Sequence, residues 1–234
     1  DDYLDGHGNA MTDVDNDGFL DFVISGIGTQ PKILLNRQDE TFGEVCYAGG
    51  LSQQNGLTWA VVPGDIDGDG FPEIYITNGL GRRPGDNNLF KHVGAFGTHY
   101  VTIDVRGVTH NPSQIGAKIE VVTPETTITR WVGSWSSFDS QGPLPVTVGL
   151  GDNTVADSIT VTFTNGTTHT VTNVPADQVI VIEEPSDFTD TDHDGVKDEW
   201  DLCPSTPLTM PTDGEGCAPQ ERAGLSLGLV YPPA

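Results

Sequence analysis

Basic residues are scarce in this chain. Ten Lys and Arg stand against 34 Asp and Glu in 234 residues, a formal net charge of −24. Neutralising phosphates takes Lys and Arg, so neither nucleic acid nor an anionic membrane surface is an expected partner. No apolar run approaches the roughly 20 residues that cross a bilayer as a helix, so no membrane insertion is expected. The histidines (His7, His92, His99, His110, His169, His193) show no metal-ligand spacing. Neither a G-x-S-x-G elbow nor a Cys/His arrangement suited to nucleophilic catalysis is present. A glycosidase-type carboxylate pair carries no local motif, but the acids here have another assignment, and an enzyme is not the expectation.

Cysteine is nearly absent too. Cys203 and Cys217 lie close together in a Pro-, Gly- and Asp-rich stretch with little to build a core from. They read as a short disulfide staple, which implies an oxidising compartment and a secreted or cell-surface location. Cys46, in Glu44-Val-Cys-Tyr-Ala48, reads as a small buried hydrophobe rather than a reactive thiol. The chain opens at Asp1 inside a repeat, so the expectation is a mature piece or fragment of something longer.

What the chain has in quantity is turn chemistry. Hydrophobic residues make up only 35%, while Gly numbers 29 and Pro 16, which suits many short strands joined by tight turns. The expected class is all-β. Residues 1–97 contain an internal repeat: Asp13-Val-Asp15-Asn-Asp17-Gly18-Phe-Leu-Asp21 is echoed 52 residues later by Asp65-Ile-Asp67-Gly-Asp69-Gly70-Phe-Pro-Glu73. Each copy runs into a strand (Phe22–Ser25, Ile74–Thr77), then a Gly-containing turn and a second apolar segment (Ile33–Asn36, Asn88–Lys91). A period near 50 residues with several short strands is that of a β-propeller blade, and two blades cannot close a ring. Either further blades complete the set or a second copy covers the open face.

Residues 98–184 alternate regularly. Val101, Ile103 and Val105 share one face, as do Ile159, Val161 and Phe163. Further strands are expected at Ala117–Val122, Ile128–Val132, Val146–Leu150, Thr168–Val174 and Val179–Glu183, enough for a β-sandwich. Asn165-Gly166 predicts a type I′ hairpin turn. After Pro185 the apolar pattern stops. Residues 185–219 form an acid-rich segment and 220–234 a C-terminal tail.

The acid spacing has a physical logic. In D-x-D-x-D-G, side chains 1, 3 and 5 face one concave turn and Gly at 6 permits the bend. The carbonyl at 7 and a later carboxylate complete an oxygen shell for a hard cation of calcium's size. The first loop offers Asp13, Asp15, Asp17, the Phe19 carbonyl and Asp21. The second offers Asp65, Asp67, Asp69, the Phe71 carbonyl and Glu73. Position 12, where an EF-hand carries Glu, holds Ile24 and Ile76, so these read as β-loop Ca²⁺ sites. A third loop supplies Asp190, Asp192, Asp194, the Val196 carbonyl, Asp198 and Asp201.

Residues 1–97 resemble FG-GAP/VCBS-type repeats, the blades of integrin-like propellers. Ile115-Gly-Ala-Lys-Ile-Glu-Val121, Val148-Gly-Leu-Gly-Asp152, Asp157-Ser-Ile-Thr-Val161 and Asn173-Val-Pro-Ala-Asp-Gln178 resemble the ASPIC/UnbV domain of the cartilage acidic protein family. Residues 187–219 resemble a thrombospondin type 3 repeat, with Cys217 closing its loop. The resemblance implies a secreted, calcium-binding structural or adhesion module that meets an extracellular protein or another copy of itself. Calcium-dependent carbohydrate binding is the alternative, because related blades occur in lectins. Trp131, Trp135 and Phe138 read as packing, with a sugar platform the alternative. Arg82-Arg83 reads as a solvated turn, and Asn165-Gly-Thr167 matches a glycosylation sequon.

Overall fold

The structure, a computed structural model, describes residues 5–27, 30–45, 58–80, 83–84, 86–93, 97–108, 111–133 and 137–185. Beyond them it describes 191, 196, 198, 201–203, 205–206, 215 and 217–218. Cys46, Arg82, Trp135, Asp190, Asp192 and Asp194 lie outside these residues. The described residues are all-β: they contain no helix, and no sheet closes into a barrel.

The first repeat folds as a four-stranded antiparallel sheet, β1 (Asp5–Thr12), β2 (Asp21–Ile27), β3 (Lys32–Asn36) and β4 (Phe42–Glu44), in that order. The second gives β5 (Thr58–Gly64) and β6 (Glu73–Leu80). The free edge of β6 is covered by two short strands, β7 (Arg83–Pro84) and β8 (Asn88–Phe90). Period-2 alternation puts Ala10, Val23 and Ile33 of one sheet against Val61, Ile74 and Ile76 of the other, all buried in one shared core. Burying each such Val or Ile contributes about 1.5–3 kcal/mol.

The sandwich has one sheet ordered β11 (Thr127–Trp131), β10 (Lys118–Val122), β13 (Val155–Thr162) and β14 (Thr168–Pro175). The other is ordered β12 (Val146–Gly151), β9 (His99–Arg106) and β15 (Gln178–Glu183), with β15 parallel to β9. Val101, Ile103 and Val105 of β9 meet Ile119, Val121, Ile159 and Val161 of the facing sheet, with Phe163 beside them, as the alternation predicts. The β13–β14 turn departs from expectation. Asn165 is not at positive φ, Gly166 is (+88°), and Gly166 donates its N–H to the Phe163 carbonyl at 2.9 Å. This is a type I turn closed by a left-handed glycine, not type I′. Asn165 stays right-handed because its side chain is occupied locally: Oδ1 accepts the Thr167 N–H at 2.9 Å and hydroxyl at 2.8 Å, and the amide meets Glu184.

Both blade sheets and the sandwich belong to one compact unit, Asp1–Pro185, and Ser186–Ala234 forms a second. In the second, Cys203 and Cys217 are joined by a disulfide with a Cα–Cα distance of 5.1 Å.

Candidate metal centres

The two acidic loops connect β1 to β2 and β5 to β6, and they are built alike. Positions 4 and 6 both take left-handed backbone, Asn16 (φ 57°) and Gly18 (93°) in the first loop, Gly68 (80°) and Gly70 (84°) in the second. Left-handed conformations suit Gly, and Asn among the other residues. This backbone turns N–H groups onto the acids. Asp13 Oδ2 accepts from Gly18 (2.9 Å) and Asp65 Oδ2 from Gly70 (2.9 Å). Asp17 Oδ1 accepts from Phe19 (2.8 Å) and Asp69 Oδ1 from Phe71 (3.0 Å). Asp21 Oδ2 accepts from Val14 and Glu73 Oε2 from Ile66, both at 2.8 Å.

Each frame gathers three carboxylates. Asp13, Asp15 and Asp17 offer oxygens within 4.8 Å of one another, and so do Asp65, Asp67 and Glu73. Asp21 stands outside the first group, and its second oxygen accepts the Asn36 N–H at 2.8 Å. Glu73 reaches into the second group with the methylene that Asp21 lacks, while Asp69 stays out, 3.6 Å from Lys91. Asp15 Oδ1 and Glu73 Oε1 are buried and have no hydrogen-bond partner among the described residues. A buried carboxylate oxygen left unpartnered is costly, and a metal ion is one way to satisfy it. The donor set is oxygen only, which suits a hard cation.

The electrostatics agree. Burial, and then the neighbouring Asp17 charge, push Asp13 (5% exposed) up to about 7. Burial also pushes Asp21 up to about 6 against the N–H groups of Asn36 and Val14. Asp15 is raised by burial and by Asp17. So concentrated a set of acids resists ionisation until a cation compensates it.

The sandwich supplies partners that sequence reading did not find. Arg130 of β11 donates from Nη2 to the Gly18 carbonyl at 2.9 Å, and its charge acts on Asp13 and Asp17. The Gly151 N–H donates to the Asn16 carbonyl at 2.9 Å. A Cβ on Gly149 would lie 2.4 Å from Asp13 Oδ2, so only glycine lets β12 press on this loop. Thr98 donates to the Asp15 carbonyl at 2.6 Å, and the Tyr100 hydroxyl to the Gly68 carbonyl at 3.1 Å. Asn16 Nδ2 joins the loops by donating to the Gly70 carbonyl at 3.1 Å.

In the tail, Asp198 accepts the Thr191 N–H (2.7 Å) and hydroxyl (2.8 Å). Asp201 Oδ1 accepts the Cys203 N–H at 2.7 Å, and its Oδ2 is buried and unpartnered among the described residues. Val196 is described, and the remaining acids of this loop, Asp190, Asp192 and Asp194, lie outside the described residues. Of the aromatic set, Trp131 and Phe138 are both exposed, and the Phe138 ring lies beside Trp59 (5.4 Å) and His7 (5.9 Å).

With this geometry in view, residues 13–76 match the family model of the FG-GAP-like repeat. Residues 107–187 match the ASPIC and UnbV model. The chain thus carries an FG-GAP-like repeat followed by an ASPIC/UnbV domain. No curated protein matches it.

Proposed function

We propose that this chain is a secreted, calcium-binding structural or adhesion module whose ions stabilise the blades and fasten them to the sandwich. One observation carries the reading. Two loops 52 residues apart repeat the same hydrogen-bond frame, and each keeps a buried carboxylate oxygen unpartnered among the described residues. Calcium is the expected ion because the donors are hard oxygens on a flexible loop, with an affinity on the order of 10⁻⁴–10⁻³ M as in extracellular modules. Asp13, Asp15 and Asp17 hold the first ion with the Phe19 carbonyl, and Asp65, Asp67 and Glu73 the second with the Phe71 carbonyl. Asp21 and Asp69 brace the loops. The tail is read as a thrombospondin type 3-like repeat, with Asp198 and Asp201 among its ligands and the disulfide fixing its end. The resemblance to the cartilage acidic protein family points to the same extracellular setting. No catalytic role is assigned to the acids.

The partner is an extracellular protein or a second copy. Supporting this, Val62, Tyr75 and Leu89 stand side by side across β5, β6 and β8, and Leu89 is 54% exposed. A second reading, carbohydrate recognition, is favoured by the cleft of about 650 Å³ lined by Trp59, Tyr75, Phe138, Thr77, Asp139 and Ser140.

Thermal melting in calcium and in EDTA tests the calcium reading. Binding confined to the folded state raises stability by roughly 1–3 kcal/mol at ten to a hundred times Kd. A melting temperature unmoved by EDTA would sink it. Asp17→Ala should lower the melting temperature in calcium more than Asp157→Ala, which lies outside any loop. Light scattering in calcium separates self-association from a monomer, and a glycan array with and without chelator tests the carbohydrate reading.

A further inference from the structure

The loops differ in what neutralises them. In the first blade the residue after Leu35 is Asn36, whose N–H and amide serve Asp21 and the Leu20 carbonyl. In the second blade Phe90 faces Ile74 as Leu34 faces Phe22 in the first, so the place of Leu35, just past β8, is taken by Lys91. Its ammonium is ion-paired with Asp67, one of the three grouped acids, and stands 3.6 Å from Asp69 Oδ2. The residues on either side of Lys91 are fixed. Phe90 is paired with Ile74, and the His92 ring stacks on Phe71 of the loop itself, 4.7 Å apart at 15°. Lys91 is therefore delivered to the loop by its neighbours. Glu73, 3% exposed, still keeps Oε1 unpartnered among the described residues, so the group retains an acceptor suited to a further cation.

We propose that Lys91 is a tethered competitor for the second metal site. Without a divalent ion its ammonium neutralises Asp67 and Asp69. An entering calcium ion takes the Asp67 carboxylate and expels the ammonium, because two cations at that range repel. The ion is bound by exchange, and Lys91 sets the affinity of this loop. The proposal rests on the calcium reading above and adds a residue that tunes it.

The probe is terbium at the second loop, excited through Tyr100, whose hydroxyl bonds the Gly68 carbonyl. Terbium is titrated directly, because a competing lysine weakens terbium and calcium alike. In Lys91→Met the terbium needed for half-maximal emission should fall about three- to fivefold, the range for a half-exposed ion pair, while Lys91→Arg stays near wild type. Melting supplies a second readout with opposite signs. Lys91→Met should melt lower than wild type in EDTA, where the counter-ion is lost, but not in saturating calcium. A merely structural lysine would lower both. Unchanged or weakened terbium binding in Lys91→Met overturns the competitor role while leaving the calcium reading intact. No calcium uptake by calorimetry in either protein overturns both.

Discussion

Gly149→Ala offers a direct test of how the first acidic loop is held. Gly149 lies in β12 without a positive φ, so alanine brings no backbone strain there. In an ordinary strand the change would stabilise by about 0.5–1 kcal/mol, because glycine loses more conformational freedom on folding. Here the new methyl would sit 2.4 Å from Asp13 Oδ2 and 2.4 Å from the Asn16 carbonyl carbon. One contact is a buried carboxylate of the acidic group and the other is backbone, so neither yields cheaply. Overpacking of this kind costs about 1–3 kcal/mol, and the net should be destabilising. For a unit of this size each kcal/mol of net loss lowers the melting temperature by about 2–4 °C. Gly64→Ala is the matched control: it too lies beside an acidic loop, but its methyl would meet only Pro143, at 3.7 Å. Differential scanning calorimetry of both variants, with and without calcium, is the assay. Calcium should stabilise Gly149→Ala less than wild type, because Asp13 is the carboxylate displaced. If Gly149→Ala melts at or above wild type while Gly64→Ala behaves the same way, β12 does not press on the loop and the described junction is wrong.

In EDTA, stability should rise as pH falls from about 8 to about 5. Asp13 near 7 and Asp21 near 6 bind protons more tightly folded than unfolded, so their contribution is full at low pH and lost as pH rises through those values. The effect is on the order of 2–4 kcal/mol; saturating calcium should reverse the trend, and urea melts across that range check both signs. Asn16→Ala should cost about 1–2 kcal/mol by losing the bond to Gly70 and straining a left-handed residue, and Asn16→Gly should recover the strain but not the bond; equal losses would deny the backbone role. In the tail, the Cys203–Cys217 bridge spans a separation of 14 residues, worth about 3 kcal/mol in the chain-entropy model. Reduction should weaken calcium binding there while sparing the loops at Asp13 and Asp65, and limited proteolysis with calcium and reductant varied independently should cleave the tail first.

What could be read from the sequence was whatever is local. The Asp spacing and the position-6 glycines specify each loop within nine residues, and strand alternation fixes both cores, because a period of two decides which side chains face inward. The expected turn at Asn165-Gly166 failed because Asn165 bonds its own neighbour Thr167 and, 19 residues on, Glu184. The partners of the first loop were not legible at all. Arg130 lies 112 residues from Gly18 and Thr98 lies 83 from Asp15. An arginine in an alternating strand or a glycine in Val146–Gly151 carries no mark of the carboxylate it will meet.

The position-9 acids show how small a difference can separate two copies of one motif. Asp21 and Glu73 occupy equivalent places, and each accepts the N–H of the residue after the loop's first acid. The shorter side chain stays back against β3, where the Asn36 N–H takes its other oxygen. The longer one extends past that point, and its free oxygen joins Asp65 and Asp67. The first group is then assembled from positions 1, 3 and 5 and leans on the sandwich through Arg130 and Gly149. The second is assembled from positions 1, 3 and 9 and meets Lys91 from its own blade. Exchanging the acids should exchange these habits. Asp21→Glu would have to find room beside Asn36, in a position only 1% exposed, and should destabilise the first blade. Glu73→Asp should withdraw a ligand from the second group and weaken calcium uptake there, with little loss of stability in EDTA. Calorimetric calcium titration of Glu73→Asp decides the point: an affinity equal to wild type would mean that Glu73 only braces its loop, as Asp21 does.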